Sequence, residues 1–215
     1  MSARWPSQED LTREVAAQGV RDRRVLSAFS EVPRAGFVPP DLVERAYVDE
    51  PLPIPHQQVT TQPSLVAKMV EALGLEGTEK VLEIGAGFGF QTAILAWLAD
   101  FVWSVERWPD LAEVVKRNLD RHGTTKAEIV VGDGSEGLPD HAPFDAILVS
   151  AAFPRVPDPL ADQLAAAGAL VQPLGSGGNE EVVLFSKRSG RLVRGRTITG
   201  ARFVRLHGKH GFRPG

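Results

Sequence analysis

Cysteine is missing from all 215 positions of the chain. Its absence excludes a disulfide framework, a thiolate zinc site and a cysteine nucleophile. Long apolar runs are missing too. No window approaches the roughly 18 residues a membrane-spanning helix needs, so no membrane contact is expected. The first stretch, MSARWPSQEDLTREV, is charged from Arg4 onward and lacks the apolar segment of about 7–15 residues in a secretory signal, so a cytoplasmic location is expected. Neither sign of charge dominates: 24 Lys and Arg face 27 Asp and Glu, a net −3, which gives no overall basic footprint for a nucleic-acid partner. What remains is an ordinary globular composition, 43% hydrophobic and 24% charged, at a length suited to one domain. A monomer is expected, and no metal site.

The first 75 or so residues read differently from the rest. Ser7 with Asp10 three positions later resembles a capping box and opens a helix through Leu11, Val15 and Val20. A second helix covers Val25–Ser30, and a third begins near Asp41. Six prolines between Pro39 and Pro63 prevent long regular elements, leaving DEPLPIPHQQVTTQP as an extended irregular loop. Loops of that length inside a folded chain are more often functional than idle. Residues 1–75 are read as a lid on the same domain, and 76–215 as the sheet domain.

From Ser64 the pattern is regular. Leu65, Val66, Met69, Val70 and Leu73 make one helical stripe ended by Gly74 or Gly77. Five apolar runs follow: Val81–Gly85, Phe101–Glu106, Ala127–Asp133, Phe144–Ser150 and Ala169–Gly175. They alternate with helical patterns over Gln91–Ala99, Asp110–His122 and Asp158–Ala166. Such alternation predicts a parallel sheet covered by helices on both faces. After Gly175 it stops, and VVLFSK, the turn RSGR and ARFVRL read as an antiparallel hairpin at the sheet edge.

The sharpest local feature is Glu83-Ile84-Gly85-Ala86-Gly87-Phe88-Gly89-Phe90, which leaves a strand and enters a helix. Its G-x-G-x-G spacing lacks the third glycine of a dinucleotide fingerprint. Without a ligand it would be a tight strand–helix turn. The next strand ends in Glu106, placed to accept hydrogen bonds from the two hydroxyls of a ribose. Asp133-Gly134 ends the third strand on the same edge, where an adenine amino group would find an acceptor, although Asp-Gly is also a common turn dipeptide. Glu83 is placed to support the loop or the amino-acid end of a cofactor. Trp108 either stacks near the adenine or packs.

This combination resembles the class I S-adenosylmethionine-dependent methyltransferases, a Rossmann-like α/β fold with a seven-stranded, mostly parallel sheet whose last strand is antiparallel. The strand after Asp133 bears on the methyl acceptor. Val149-Ser150-Ala151-Ala152 stands where amine methyltransferases carry an Asn/Asp-Pro-Pro-aromatic motif, and cytosine-carbon methylation needs the missing cysteine. VPRAGFVP, AYVDEPLPI, QQVTTQPSLVAKM, VLEIGAGFGFQTAILA, GDGSEGLPDHAPFDAILVSAA and ARFVRLHG occur in this order. Together they resemble the protein-L-isoaspartate (D-aspartate) O-methyltransferases over about residues 25–210.

The resemblance implies S-adenosyl-L-methionine as cofactor and isoaspartyl-containing proteins or peptides as substrate. The implied reaction is methyl esterification of the free isoaspartyl carboxylate, with D-aspartyl as a further acceptor, starting repair through a succinimide. It carries cofactor contacts to Gly85, Ala86, Gly87, Phe88, Gly89, Glu106, Asp133 and Gly134, with Val59, Thr60 and Thr61 in the covering loop. Thr61 replaces the family's active-site serine and is the expected catalytic hydroxyl. Gln58, Ser150 and His207 are the expected substrate contacts, and His56, by its place beside the loop, either helps position substrate or has a loop-packing or exposed role. Gln57 stands for a usual glycine, Val59 loses a hydroxyl and Arg205 replaces a usual proline. The first two departures keep a second reading open, a related carboxyl or O-methyltransferase for a specialised peptide or small molecule.

Overall fold

The computed structural model describes residues 5–213. Helix α1 (Gln8–Ala17) starts at the expected capping box: Ser7 caps Asp10 N–H while the Asp10 carboxylate accepts from Ser7 N–H at 2.8 Å. That backbone bond, helped by the Ser7 hydroxyl, lowers the Asp10 carboxyl to about 2. Helix α2 (Arg23–Glu31) is capped by Asp22. The helix expected near Asp41 is a six-residue 3₁₀ turn, Pro40–Arg45. Pro39 and Pro40 start it, and it buries no residue that would favour a full α-helix. The loop expected to be irregular contains a small antiparallel hairpin, β1 (Pro53–Ile54) with β2 (Gln58–Val59). Helix α3 (Pro63–Leu73) ends at Gly74, whose φ of 65° suits a left-handed cap.

The sheet follows: β3 (Lys80–Ile84), α4 (Phe90–Leu98), β4 (Phe101–Glu106), α5 (Pro109–Arg121), β5 (Ala127–Val131) and β6 (Phe144–Val149). Next come α6 (Asp158–Gln163), β7 (Leu164–Leu174), β8 (Glu180–Arg188) and β9 (Arg191–Ala201). Seven strands lie in the order β5-β4-β3-β6-β7-β8-β9. The first five are mutually parallel, and the far end is antiparallel, β7 with β8 and β8 with β9. This is the expected class I methyltransferase architecture. The central strands are buried on both faces, and mostly apolar, because helices cover both. One apolar core joins Leu11, Phe29, Phe37 and Met69 to α4 and the sheet. No helix among the described residues is long and apolar enough to cross a membrane.

Two expectations fail at the sheet's end. Residues 164–166, expected as helix, open β7, because Leu164 pairs with Phe144 and is 1% exposed; that burial and pairing override the high helix propensity of Ala165 and Ala166. The hairpin partner of β8 is Arg191–Ala201 rather than ARFVRL. That later stretch turns back instead to bridge Ala152 through Arg205, with Ala152 N–H donating to Val204 and Leu206 N–H to Ala152.

Candidate active site

The chain reverses its direction of travel across the sheet at β3, which is flanked by β4 on one side and β6 on the other. Ligands of open α/β sheets bind at the carboxyl ends of strands at such a point. A cavity of about 630 Å³ opens there. Its floor is the loop Gly85–Phe88, with Gly85 and Gly87 at φ 93° and 59°, a region open to glycine and costly for other residues. Gly89, at φ 92°, caps α4 behind the loop; a Cβ there would sit 2.9 Å from Val115. It does not line the cavity, so its place is the helix start.

Glu106 lines the cavity while 5% exposed. Gly87 N–H and Trp108 N–H each donate to it at 3.0 Å, one per carboxylate oxygen, and so fix its orientation. Glu83 lies beneath the loop, fully buried and away from the cavity wall. Burial pushes its carboxyl up, against hydrogen bonds donated by Ser104, Thr92 and Gln91, and the neighbouring Glu106 pushes the same way. Of the two roles considered for it, this position serves loop support. Gln91 was missed by the sequence reading. Its amide nitrogen donates to both Glu83 and Ser150, tying the loop's support to the exit of β6.

Gly134 lines the cavity, and a Cβ there would stand 2.4 Å from Ile84. Asp133 does not line it. Its carboxylate accepts from Ser135 N–H, from the Ser135 hydroxyl and from Lys209 N–H, so it binds the C-terminal stretch. Burial pushes the Asp133 carboxyl up, but those bonds, Lys209 N–H first, outweigh it and hold the group below its usual range.

The β1–β2 hairpin forms the roof: His56, Gln58, Val59, Thr60 and Thr61 all line the cavity, as do Ser150 and His207. His56 and Gln57 both adopt left-handed φ, 60° and 57°, the pattern of a type I′ turn built without its usual Asn-Gly. His56 stacks flat on Trp108 at 3.9 Å and hydrogen-bonds the Asp110 carboxylate through Nε2 at 2.9 Å. That bond holds the Asp110 carboxyl below its usual range. Trp108 therefore packs with one face on the roof. Gln57→Gly is expected to raise stability by about 0.5–1 kcal/mol, since relief of left-handed strain exceeds the added chain entropy. A denaturation midpoint that falls or stays put would contradict it.

Arg34, in VPRAGFVP, escaped the sequence reading. It is 1% exposed, and its guanidinium donates to the carbonyls of Ala46, Val48 and Glu50 and to the Thr60 hydroxyl. Burial lowers its pKa to about 10, which leaves it charged at neutral pH. The Thr60 hydroxyl also accepts from Leu52 N–H, so it is occupied, whereas that of Thr61 has no hydrogen-bonding partner among the described residues.

The family described as Protein-L-isoaspartate(D-aspartate) O-methyltransferase (PCMT) matches residues 6–211. The chain belongs to this isoaspartate O-methyltransferase family. A protein-L-isoaspartate O-methyltransferase of Geobacter metallireducens is 48% identical over 200 residues, covering 93% of this chain and 92% of its own. One from Methanoculleus marisnigri is 46% identical over 205 residues, 95% and 93% of the two chains. A solved protein-L-isoaspartate O-methyltransferase superposes with a TM-score of 0.82 at 30% identity, over 95% of this chain and 67% of its own. A Plasmodium falciparum structure, described as a putative member in complex with S-adenosyl-L-homocysteine, shares the fold at TM-score 0.79 and 21% identity, over 94% and 99% of the two chains.

As an isoaspartate O-methyltransferase family member, the chain has S-adenosylmethionine as its cofactor, and the residues fit it. The cavity volume is within the range of about 300–1,000 Å³ for such sites. The glycine loop leaves room for a backbone-hugging ligand, and Glu106 offers a preoriented acceptor to a ribose.

Proposed function

We propose that the cavity under the β1–β2 hairpin is where this enzyme esterifies the free carboxylate of L-isoaspartyl residues, and D-aspartyl ones, in damaged proteins and peptides. The observation that carries this reading is that one cavity is lined both by Thr61, with its unengaged hydroxyl, and by the Gly85–Phe88 loop with Glu106. Bound S-adenosylmethionine supplies an electrophilic sulfonium methyl group. Glu106 holds the ribose hydroxyls, and Gly134 lets the adenine approach. Asp133 anchors the stretch around Lys209 that closes the site. His56 keeps the hairpin seated on Trp108, with residues 1–75 acting as the lid. Gln58, Ser150 and His207 contact the peptide.

The acceptor asks little of the protein. A peptide carboxyl, with a pKa of about 3.5–4, is already an anion at neutral pH and needs no general base. Thr61 donates one hydrogen bond that aims the carboxylate oxygen at the methyl carbon without the quenching a tight arginine pair would bring. Once the ester has formed, the following backbone nitrogen attacks its carbonyl, methanol leaves, and the succinimide hydrolyses in part to aspartate. These last steps need no enzyme. The proposed setting is the cytoplasm. The proposed assembly is a monomer.

Thr61→Ala is expected to lower kcat about 10- to 100-fold while cofactor affinity changes by less than about twofold, and Thr61→Ser is expected to be mild. Steady-state kinetics with calorimetry of cofactor binding separates the two effects. Unchanged kcat in the alanine variant would clear Thr61 of the role.

A further inference from the structure

Charge is distributed very unevenly along this chain. Residues 182–215 hold nine Lys and Arg and no Asp or Glu, whereas residues 1–181 hold fifteen against all 27 acids. The basic stretch supplies part of the cavity wall, Val204 to His207. Within it Leu206 is 4% exposed and Val204 packs on the core, so the Arg205 side chain between them is turned outward.

Arg205 is fixed there. Its Nε donates to the Ser176 carbonyl at 3.0 Å, and its guanidinium lies 5.1 Å from the centre of the Phe212 ring. It has no ion pair among the described residues. The carboxylate sharing this corner, Glu180, is 1% exposed and accepts from Gly177 and Phe203 N–H instead. Around the cavity the other charged or titratable lining groups are His56, Arg107, His207 and Glu106. Glu106 is the sole acid among them, and two backbone N–H groups hold it.

We propose that Arg205 is a specificity-determining residue that favours isoaspartyl peptides carrying a second carboxylate within two residues of the damaged one. The inference rests on the isoaspartyl reading above. An exposed guanidinium held by a carbonyl and a ring has already lost much of its rotamer freedom, so pairing with a peptide carboxylate costs less ordering than it would for a free arginine. Pairing forms as the peptide docks and is no part of methyl transfer, so it acts on KM rather than kcat.

The test uses one neutral isoaspartyl peptide and variants with glutamate or lysine at each of the two positions on either side. At about 20 mM salt, the best glutamate peptide is expected to exceed its lysine counterpart by about 3- to 10-fold in kcat/KM, through KM, and to lose most of that advantage near 0.5 M salt. Arg205→Gln is expected to abolish the difference while keeping kcat on the neutral peptide, and Arg205→Lys to retain part of it. Glutamate peptides no better than lysine ones, or a preference that survives in Arg205→Gln, would overturn the proposal. So would an equal rise in KM for every peptide, the mark of a merely structural role. If the wild-type chain methylates no isoaspartyl peptide at all, the functional reading fails and this inference with it; equal turnover of the whole series removes Arg205 alone.

Discussion

Arg34→Ala is expected to lower the stability of the folded chain by about 2–4 kcal/mol and to abolish ordered closure of the active-site roof. The guanidinium donates to three carbonyls in the proline-rich stretch, Ala46, Val48 and Glu50, and to the Thr60 hydroxyl. Prolines cannot build a hydrogen-bonded element there, so the arginine satisfies carbonyls that a helix or sheet would otherwise pair. Burial disfavours its charge, but a pKa of about 10 keeps it protonated in neutral solution. Truncation relieves that burial cost and at the same time orphans four acceptors and leaves a void. The second effect is larger. Arg34→Lys, which has no fork to span carbonyls this far apart, is expected to fall between wild type and alanine. Chemical denaturation reads the stability, and faster protease cleavage within residues 46–60 reads the roof. Wild-type values of both in the alanine variant would show that the loop is held by other means.

Glu106→Ala is expected to weaken cofactor binding by about 1–3 kcal/mol, or about 5- to 150-fold in Kd. Two losses combine. The acceptor for the ribose hydroxyls disappears, and Gly87 N–H loses the carboxylate oxygen that holds it at 3.0 Å, loosening the glycine loop. Glu106→Gln keeps an acceptor oxygen for one of these bonds and is expected to fall between the two. Calorimetry with S-adenosylmethionine measures the change, and an unaltered Kd for the alanine variant would remove Glu106 from the site.

The repeating part of the molecule was legible because burial on both faces writes itself into sequence as apolar runs. The β3 run and its glycine loop, the β4 run ending in Glu106, and the parallel order of the sheet follow from local pattern. What was not legible depends on partners distant in sequence. The Ala-rich stretch 164–166, just after α6, becomes strand only because Leu164 meets Phe144. Asp133 reads as a free strand-end acid until Lys209, 76 positions later, donates to it. Arg34 looks like any loop arginine, and only its flanking prolines and apolar neighbours hint at burial. His56 and Gln57 give no sign of their left-handed turn, since neither is the residue such a turn prefers. Family resemblance points to Thr61, and the structure adds that its hydroxyl has no hydrogen-bonding partner among the described residues while that of Thr60 is taken.

In the proposed reaction the acceptor is the displaced carboxylate of an isoaspartyl residue, chosen by geometry and already ionised. Incubating the chain with methyl-labelled S-adenosylmethionine and two peptides that differ only in an aspartyl or isoaspartyl linkage tests it most directly. Label on the isoaspartyl peptide alone, released as methanol while a succinimide forms, is the predicted result. Equal labelling of both peptides, or of neither, would rule out the isoaspartyl carboxylate as the selected acceptor.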